Sequence, residues 1–422
     1  MNRLHSIRLA IFPPGSRLEG WAEPLLDLLR DFVYAPYDSR LGHLLPDVIR
    51  KPLRGGFYRR REAALAAQQA ELRKIMSVPA EATILFLPGL DWEAQLFQRP
   101  QLLARALARQ GARVFYLLPE PWSPSPPIQQ IEPNLYLCAM PVAALRLIKH
   151  PWAYTLTWNR KYTLSLEEPR ILYDYVDDLS VITGNPQRMQ RYHADLLKNA
   201  QVVMVTARRL FDSLKGMRPD ACYIPNGVEY EHFAAARQLR PAQPGPPADL
   251  APIVETGKPI IGYYGALARW FDYALYREIA HSRPQYEFVL IGPALDATLA
   301  QSGLLAMPNV HWLDRKRYAD LPGYLAWFDV ATIPFELNEL THAVSPVKLF
   351  EYFAGGKPVV ATPMEETIQY QGVIPAQGAE AFAAGLDHAV CLANDAAYVS
   401  AIETVAQQNT WNARAEELLK KL

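Results

Sequence analysis

The residues best suited to chemistry lie in one short stretch, residues 345–363. Ser345 is a favoured helix N-cap, Pro346 suits the first helical position, and a glycine pair further on ends the helix. Lys348 falls in the first turn, and Glu351 falls one turn later on about the same face. A helix start with a lysine suits a diphosphate, and a carboxylate accepts hydrogen bonds from a sugar diol. The stretch therefore predicts a nucleotide site; the alternative is an amphipathic helix with a surface Lys–Glu pair.

A second candidate phosphate site is the glycine loop in residues 259–272, where an apolar strand runs toward a predicted helix. Gly265 permits close backbone approach and unusual dihedral angles, as a phosphate cradle requires. Arg269 follows as a cation, although it is also compatible with an ordinary surface position. Because this loop opens the same βα series as the Lys348 helix, the two are predicted to form one site.

The first half of the chain contains a similar βαβ pattern. A buried-strand run at 84–89 is followed by an aromatic loop with Trp92, a helix beginning near Arg99, and a second strand at 113–118. Ligands of such units lie at the carboxyl ends of the strands. We therefore expect Arg99 to face a cleft; the alternative is a surface arginine near a helix start.

Two adjacent acids, Asp177 and Asp178, follow a third strand at 170–176. In a cleft they can serve as a base, an acceptor ligand or a sugar contact. The alternative is ordinary turn chemistry, in which aspartate is common. Two carboxylates without further ligands are weak support for a divalent metal, so no metal site is predicted.

The stretch around Lys348 resembles the donor-site helix of family 4 glycosyltransferases, enzymes with the GT-B fold, and is most similar to branches that read SP-x-KLFEY-x-A-x-GKPVV. Such branches often act on cell-surface polysaccharides. In that family the second glutamate of an E-x7-E motif binds the ribose, and Glu351 stands in its place. Ala343 stands where the first glutamate would be. The resemblance implies no need for a metal.

Further segments carry the same resemblance, which covers residues 83–422. Residues 98–101 resemble the first turn of the family's acceptor domain, and the IPNGV sequence at 224–228 resembles the end of that domain. Residues 313–315 match the place where related enzymes contact the nucleotide base. The family usually places an arginine and a lysine after the second glycine loop, whereas this chain offers only Arg269 there.

The predicted fold is α/β, GT-B, with two doubly wound Rossmann-like domains facing across a cleft. The predicted divisions are an N-terminal extension of uncertain structure with a basic segment (1–80), an acceptor domain (81–236), a proline-rich linker (237–258), a nucleotide-sugar domain (259–395) and C-terminal helices, the last crossing back to the first domain (396–422).

The resemblance implies the function of a retaining hexosyltransferase, which moves a sugar from a nucleotide diphosphate sugar of UDP or GDP type to a glycan or lipid-linked acceptor in bacterial surface polysaccharide synthesis, without another cofactor. The alternatives are a non-catalytic GT-B subunit that binds a glycan or partner enzyme, and a nucleotide-sugar 2-epimerase. The predicted catalytic residues are Lys348, Arg269 and Asp177. The predicted donor-binding residues are Gly265, Arg269, Leu313, Arg315, Ser345, Pro346, Lys348, Leu349 and Glu351. The predicted acceptor-binding residues are Trp92, Gln98, Arg99, Asp177 and Asp178.

Composition adds broad limits. Lys plus Arg and Asp plus Glu number 43 each, so no global charge favours nucleic acid. Cys138, Cys222 and Cys391 are far apart, which indicates a reducing compartment and no structural zinc. No apolar run is long enough to span a bilayer, so we expect a cytoplasmic protein. The basic segment 50–61 suggests the hypothesis of peripheral association with the cytoplasmic membrane face; the alternative is a solvated loop.

Overall fold

A computed structural model describes residues 57–94, 96–119, 127–179, 185–239 and 245–422 of the 422-residue chain. The part of the basic segment before Phe57 therefore lies outside the described residues. Its remaining residues begin the first helix, and their side chains are not described.

The first domain is built on an eight-stranded sheet in the order β3-β4-β2-β1-β5-β6-β7-β8. All neighbouring strands are parallel except β3, which pairs antiparallel with β4. The strands are β1 (Thr83–Phe86), β2 (Arg113–Leu117), β3 (Ile128–Glu132), β4 (Leu135–Cys138), β5 (Trp152–Thr155), β6 (Arg170–Tyr175), β7 (Val202–Val205) and β8 (Cys222–Tyr223).

The second domain is built on a six-stranded, fully parallel sheet in the order β11-β10-β9-β12-β13-β14. Its strands are β9 (Ile260–Tyr264), β10 (Glu287–Ile291), β11 (Val310–Trp312), β12 (Val330–Ile333), β13 (Val359–Ala361) and β14 (Val373–Pro375). Every residue of β9 and β10 is buried, as expected for strands with helices on both faces. This strand order is that of a Rossmann domain.

The helices that cover the sheets follow in chain order. They are α1 (Phe57–Met76), α2 (Arg99–Arg109), α3 (Pro186–Asn199), α4 (Arg208–Leu214), α5 (Tyr230–Ala234), α6 (Ala236–Leu239), α7 (Ala251–Val254), α8 (Tyr273–Ser282), α9 (Thr298–Gln301), α10 (Leu321–Leu325), α11 (Glu339–His342), α12 (Val347–Ala354), α13 (Glu365–Ile368), α14 (Ala379–Leu392), α15 (Ala396–Gln408) and α16 (Trp411–Leu419). Short 3-10 helices are Val142–Leu147, Thr157–Ser165, Leu304–Ala306 and Tyr318–Asp320.

Helix α16 returns from the second domain to the first, where it packs against α2. Trp411 is 2% exposed and belongs to the same core cluster as Leu103 and Leu107 of α2. The crossing point is held by backbone hydrogen bonds from Val228 N–H to the Asn409 carbonyl (3.0 Å) and from Trp411 N–H to the Val228 carbonyl (3.1 Å). The first domain's core is thus completed by a distant part of the chain.

The domains also meet through Glu366, a buried carboxylate at the start of α13. It accepts hydrogen bonds from the Arg208 backbone N–H and from the Tyr223 hydroxyl (2.8 Å), both in the first domain. Removing the Glu366 carboxylate would leave the Tyr223 hydroxyl without this partner at the interface.

Two elements differ from expectation. Strand β5, which pairs directly with β1, was not predicted; its Trp-Ala-Tyr-Thr sequence is too short to show a period. The proline-rich segment, predicted to have little regular structure, contains α7, with Leu250 and Ile253 in the second domain's core.

Candidate active site

A cavity of about 680 Å³ lies between the domains, within the size range of small-molecule sites. Gly89 follows β1 and Gly265 follows β9, and both line it. In each sheet the strand order reverses beside that strand, at β1/β5 and at β9/β12. Open α/β sheets bind ligands at such switch points.

The floor of the second-domain half is formed by two glycines that approach each other closely. Gly265 and Gly292 have φ of +142° and +141°, a conformation that side-chain-bearing residues rarely adopt. A Cβ at Gly292 would lie 1.9 Å from the Gly265 carbonyl oxygen, and a Cβ at Gly265 would lie 2.8 Å from Lys348 Cε. The glycine loop therefore has the shape needed to admit the lysine.

We expect Gly265→Ala to lower affinity for a nucleotide ligand at least tenfold, which corresponds to about 1.4 kcal/mol. The added methyl must displace Lys348 and strain the backbone. Isothermal titration of the nucleotide measures the change. Gly303→Ala is the matched control, because Gly303 also has positive φ (+71°) but meets only one side-chain atom, Arg277 Nη1 at 3.8 Å. Equal losses in both variants would assign the effect to backbone strain alone.

Helix α12 supplies the central charges, although it does not begin as predicted. Pro346, not Ser345, is the N-cap residue, and Val347 is the first helical residue. The Ser345 hydroxyl instead accepts a hydrogen bond from the Asn226 backbone N–H of the first domain (3.3 Å). The prediction that Ser345 caps this helix is therefore wrong, because a contact with the other domain uses its side chain.

Lys348 lies in the first turn of α12 and is half-buried in the cavity wall. Its Nζ is 4.9 Å from the Phe335 ring centroid and 5.5 Å from that of Tyr263, both within cation–π range. Burial lowers the pKa of Lys348 to about 8, while the Glu351 carboxylate acts to raise it. No hydrogen bond or ion pair of Nζ occurs within the described ranges, which leaves its N–H donors for an anion.

Glu351 lies one turn further along α12, 5% exposed and lining the same cavity. Burial raises the pKa of Glu351 to about 7, although the Lys348 ammonium and the nearby Tyr264 hydroxyl oppose this. The hydroxyls of Tyr264 and Tyr318 are buried without a well-oriented hydrogen-bond partner among the described residues. The Tyr264 hydroxyl thus lies near the Glu351 carboxylate, whose remaining lone pairs can accept hydrogen bonds from a polar ligand in the cavity.

The other predicted donor residues divide into two groups. Arg269 and Arg315 are exposed and line the cavity, so they add to the positive charge near Lys348. Leu349 is fully buried in the second domain's core, and Leu313 packs against that core. Neither leucine lines the cavity, so their side chains hold α12 and the β11 loop in place.

On the first-domain wall, Arg99 is buried and uses all of its N–H groups within the protein. Its Nε and Nη2 pair with Asp174 (2.7 and 3.1 Å), and Nη2 also lies 3.8 Å from the Met204 sulfur. Its Nη1 donates to the Asn226 Oδ1 (3.2 Å) and the Pro225 carbonyl (3.4 Å). Arg99 faces the cleft as expected, but no donor is left for an acceptor.

Asp177 and Gln98 line the cavity on this wall, whereas Asp178 and Trp92 do not. Burial and the neighbouring Asp174 raise the pKa of Asp177 to about 6, with Arg99 acting in the opposite direction. Trp92 packs edge-on against Phe97, with centroids 5.4 Å apart. The structure therefore brings one of the two predicted carboxylates to the cleft.

Sequence reasoning missed two polar residues that connect the domains. Asn226 donates from its amide to the Ser345 carbonyl (2.6 Å) and accepts from Arg99, so it joins the first-domain wall to the residue pair before α12. Asp174 holds Arg99 in place and also accepts from the Tyr154 hydroxyl. Asn226 belongs to the IPNGV sequence, which was interpreted only as the end of the first domain, and Asp174 lies inside a strand, where nothing in the spacing marks it.

Ala343, at the position of the missing first motif glutamate, is 3% exposed and lies outside the cavity lining. It packs in a cluster with Tyr173, Tyr175 and Leu210 of the first domain. A carboxylate at this position would be buried among apolar groups without a partner. The alanine at this motif position therefore fits the packing between the two domains.

The described residues form no metal site, disulfide or membrane-spanning helix. No group of three or more His, Cys, Asp or Glu side chains there is placed to hold a metal ion. All three cysteines are free. None of the helices in the described ranges combines the length and apolar character that crossing a membrane requires.

The chain is similar in sequence to a known protein family and to a named relative. The family "Glycosyl transferases group 1" matches residues 258–391. TuaH of Bacillus subtilis (strain 168), whose name assigns it to teichuronic acid biosynthesis as a glycosyltransferase, is 24% identical over 270 residues. That alignment covers 60% of this chain and 66% of TuaH, just under two thirds of the relative.

Solved structures share the architecture. Sucrose-phosphate synthase from Thermosynechococcus elongatus gives a TM-score of 0.59 at 16% identity, covering 81% of this chain and 98% of that one. Anabaena HepE in complex with UDP-glucose gives 0.56 at 17% identity, covering 81% and 100%. A glycosyltransferase from Rickettsia africae gives 0.55 at 13% identity, covering 80% and 97%. At these identities the likeness concerns the fold.

Two doubly wound sheets facing across a cleft, with a glycine loop and the start of a helix on one side, define a GT-B protein. Its second domain matches the group 1 glycosyltransferases, the family 4 type that the residues around Lys348 resemble. The predicted fold class is thereby confirmed, and this match and the likeness to TuaH bear out the predicted resemblance.

Proposed function

We propose that the protein is a retaining hexosyltransferase that moves a sugar from a nucleotide diphosphate sugar to a glycan or lipid-linked acceptor of a bacterial surface polysaccharide. The observation that carries the proposal is the unpaired Lys348 ammonium beside Gly265, one helical turn from Glu351, in the interdomain cavity. TuaH, named for a surface-polysaccharide pathway, supports the acceptor class. The UDP-glucose bound to HepE supports UDP as the donor nucleotide.

The chemistry follows from the charges. As the anomeric C–O bond breaks, its electron pair moves to the leaving diphosphate, while the sugar becomes oxocarbenium-like. Lys348, assisted by Arg269 and Arg315, stabilises the growing negative charge in a partly dehydrated site. Glu351 accepts hydrogen bonds from the ribose diol. The acceptor hydroxyl forms the new C–O bond, and Asp177 on the facing wall takes its proton.

A thermal-shift panel of UDP, GDP, dTDP, ADP and their common sugar conjugates tests the donor site. A ligand that binds only the folded state at 100 times its Kd stabilises it by about 2.7 kcal/mol. We expect UDP and a UDP-sugar to raise the unfolding temperature, and Lys348→Met to reduce the rise. Turnover is then tested by incubating the protein with the UDP-sugar and measuring the UDP that is released. If no nucleotide raises the unfolding temperature of the native chain, the proposal fails.

The buried Ala343 favours one other candidate, a non-catalytic GT-B subunit that binds a glycan or a partner enzyme. Such a subunit would lack donor turnover. Measurable UDP release from any donor, lost in Lys348→Met, excludes it. Binding of a glycan without any donor turnover supports it.

Donor binding should depend on pH with an optimum between about 7 and 8. In the empty site Glu351 has a pKa raised to about 7 and Lys348 a pKa lowered to about 8. Below this window Glu351 gains a proton and stops accepting from two hydroxyls; above it Lys348 loses its charge. Titration of the intact donor between pH 5.5 and 9.5 measures both limbs. Glu351→Gln should remove the acid limb while keeping the alkaline one, and an unchanged profile in that variant contradicts the assignment.

A further inference from the structure

The two walls of the cavity differ in charge. On the second-domain wall, the lining cations include Lys348, Arg269 and Arg315. On the first-domain wall, Arg99 is the only cation among the described lining residues, and Asp174, Asn226, Pro225 and Met204 occupy its N–H groups. The positive charge available to a ligand is therefore confined to the donor half.

Few polar side chains on the first-domain wall remain for a ligand. The Thr206 hydroxyl donates to the Val176 carbonyl (2.8 Å). The Asn226 side-chain amide donates to the Ser345 carbonyl and accepts from Arg99. Asp177, Gln98 and the indole N–H of Trp158 are the polar groups left over in the described part of this wall. One of them is a carboxylate, which accepts hydrogen bonds and repels anions.

The rest of this wall is apolar. It includes Leu90, Leu156 and the half-buried indole of Trp158. Trp158 sits tightly over the first glycine loop: a Cβ at Gly89 would lie 3.2 Å from its Nε1. A rigid aromatic face beside a carboxylate suits a sugar ring, whose C–H face packs on the ring while its hydroxyls donate to the carboxylate.

Given the proposed function, we infer that the acceptor sugar that enters this cleft is uncharged. Its hydroxyls donate to Asp177 and its ring packs on Trp158. A uronic acid or a phosphorylated sugar in the same place would bring a second negative charge to Asp177, with no free cation among the described residues of that wall. Like charges brought together in a partly dehydrated site are strongly unfavourable, so the wall selects against acidic acceptors.

The test compares acceptors that are matched except for a neutral or an anionic group at carbon 6. Pairs of methyl glycosides (glucoside with glucuronide, galactoside with galacturonide, N-acetylglucosaminide with its 6-phosphate) are supplied together at equal concentration with the donor, and products are separated by mass. We expect the neutral product to exceed the acidic one at least about tenfold, which corresponds to 1.4 kcal/mol. Asp177→Asn, followed through its residual turnover over longer incubations because Asp177 also takes the acceptor's proton, should reduce that excess by at least threefold.

Asp212→Asn is the matched control. Asp212 lies on α4 of the same domain, outside the cavity lining, and pairs with Lys215 on the surface, so its substitution changes net charge equally. It should leave the product ratio unaltered. An acidic product equal to or above the neutral one in the native chain, or equal ratios in Asp177→Asn and the native chain, overturns the inference.

Binding gives a second readout that does not depend on turnover. Saturation-transfer NMR on the UDP-loaded protein should detect neutral members of the pairs and not their acidic partners. Acidic members bound as well as neutral ones, or no neutral member bound, overturns the inference. UDP binding is measured in the same samples, because its absence would overturn the proposed function instead.

Discussion

Replacing Lys348 with methionine is expected to lower the turnover number by about 10²–10³-fold, the loss typical of removing one preorganised group that stabilises transition-state charge. Methionine keeps the length and fills the space between Phe335 and Tyr263, so the variant removes the charge and little packing. Because charge on the diphosphate grows as the anomeric bond breaks, kcat should fall more than donor affinity. Initial rates of UDP release over a range of donor concentrations measure both.

Two further variants sharpen this result. Lys215→Met removes an exposed lysine of the first domain, which pairs with Asp212 on the surface, and should keep native turnover. Glu351→Ala should chiefly raise the donor's KM, because a ribose contact is made equally in the ground and transition states. A Lys348→Met enzyme with native kcat and KM would remove this lysine from the mechanism.

The second large effect concerns stability. Asp174→Leu should destabilise the fold by about 3–5 kcal/mol, because it leaves the Arg99 guanidinium buried without its counter-charge. The side chains of this pair are 6% and 0% exposed, so water cannot take over the lost role. We expect the midpoint of thermal unfolding to fall by about 10 °C, measured by circular dichroism.

The double variant Arg99→Met/Asp174→Leu separates the charge effect from packing. Replacing both members of a buried pair with apolar groups is often neutral or stabilising, so the double variant should recover at least half of the lost midpoint. It also removes the hydrogen bond from Arg99 to Asn226, and a remaining deficit in donor affinity would show that Asn226 needs that contact to hold the start of α12. A single variant as stable as the native chain contradicts the account.

Much of this fold was predictable because its local signals agree with its tertiary structure. Strand β9, the Gly265 loop and the helix after it were predicted as they occur, since an apolar run and a glycine turn point the same way, and Asp272 caps that helix in the structure. Lys348 and Glu351 were found for a similar reason. Two residues three positions apart lie on the same face of a helix, whatever the rest of the fold is.

The errors arise where a distant part of the chain supplies a residue's partner. Ser345 has the composition of a cap, but its hydroxyl meets the Asn226 backbone, 119 residues away, and the residue before a proline is in any case pushed out of the helical region. Arg99 was expected to bind the acceptor, but its guanidinium pairs with Asp174, 75 residues further on. Spacing along one segment carries no information about such distant partners.

The return of α16 to the first domain also has a consequence for biogenesis. Trp411, Ala415 and Leu418 complete a core whose other members lie mostly in residues 84–224, so that core stays open while the second domain is being synthesised. The growing chain therefore carries an unfilled apolar groove through nearly two hundred residues of translation, and such transient surfaces attract chaperones or self-associate. A nascent chain stopped before residue 411 should accordingly bind a holdase chaperone that the chain translated through α16 releases.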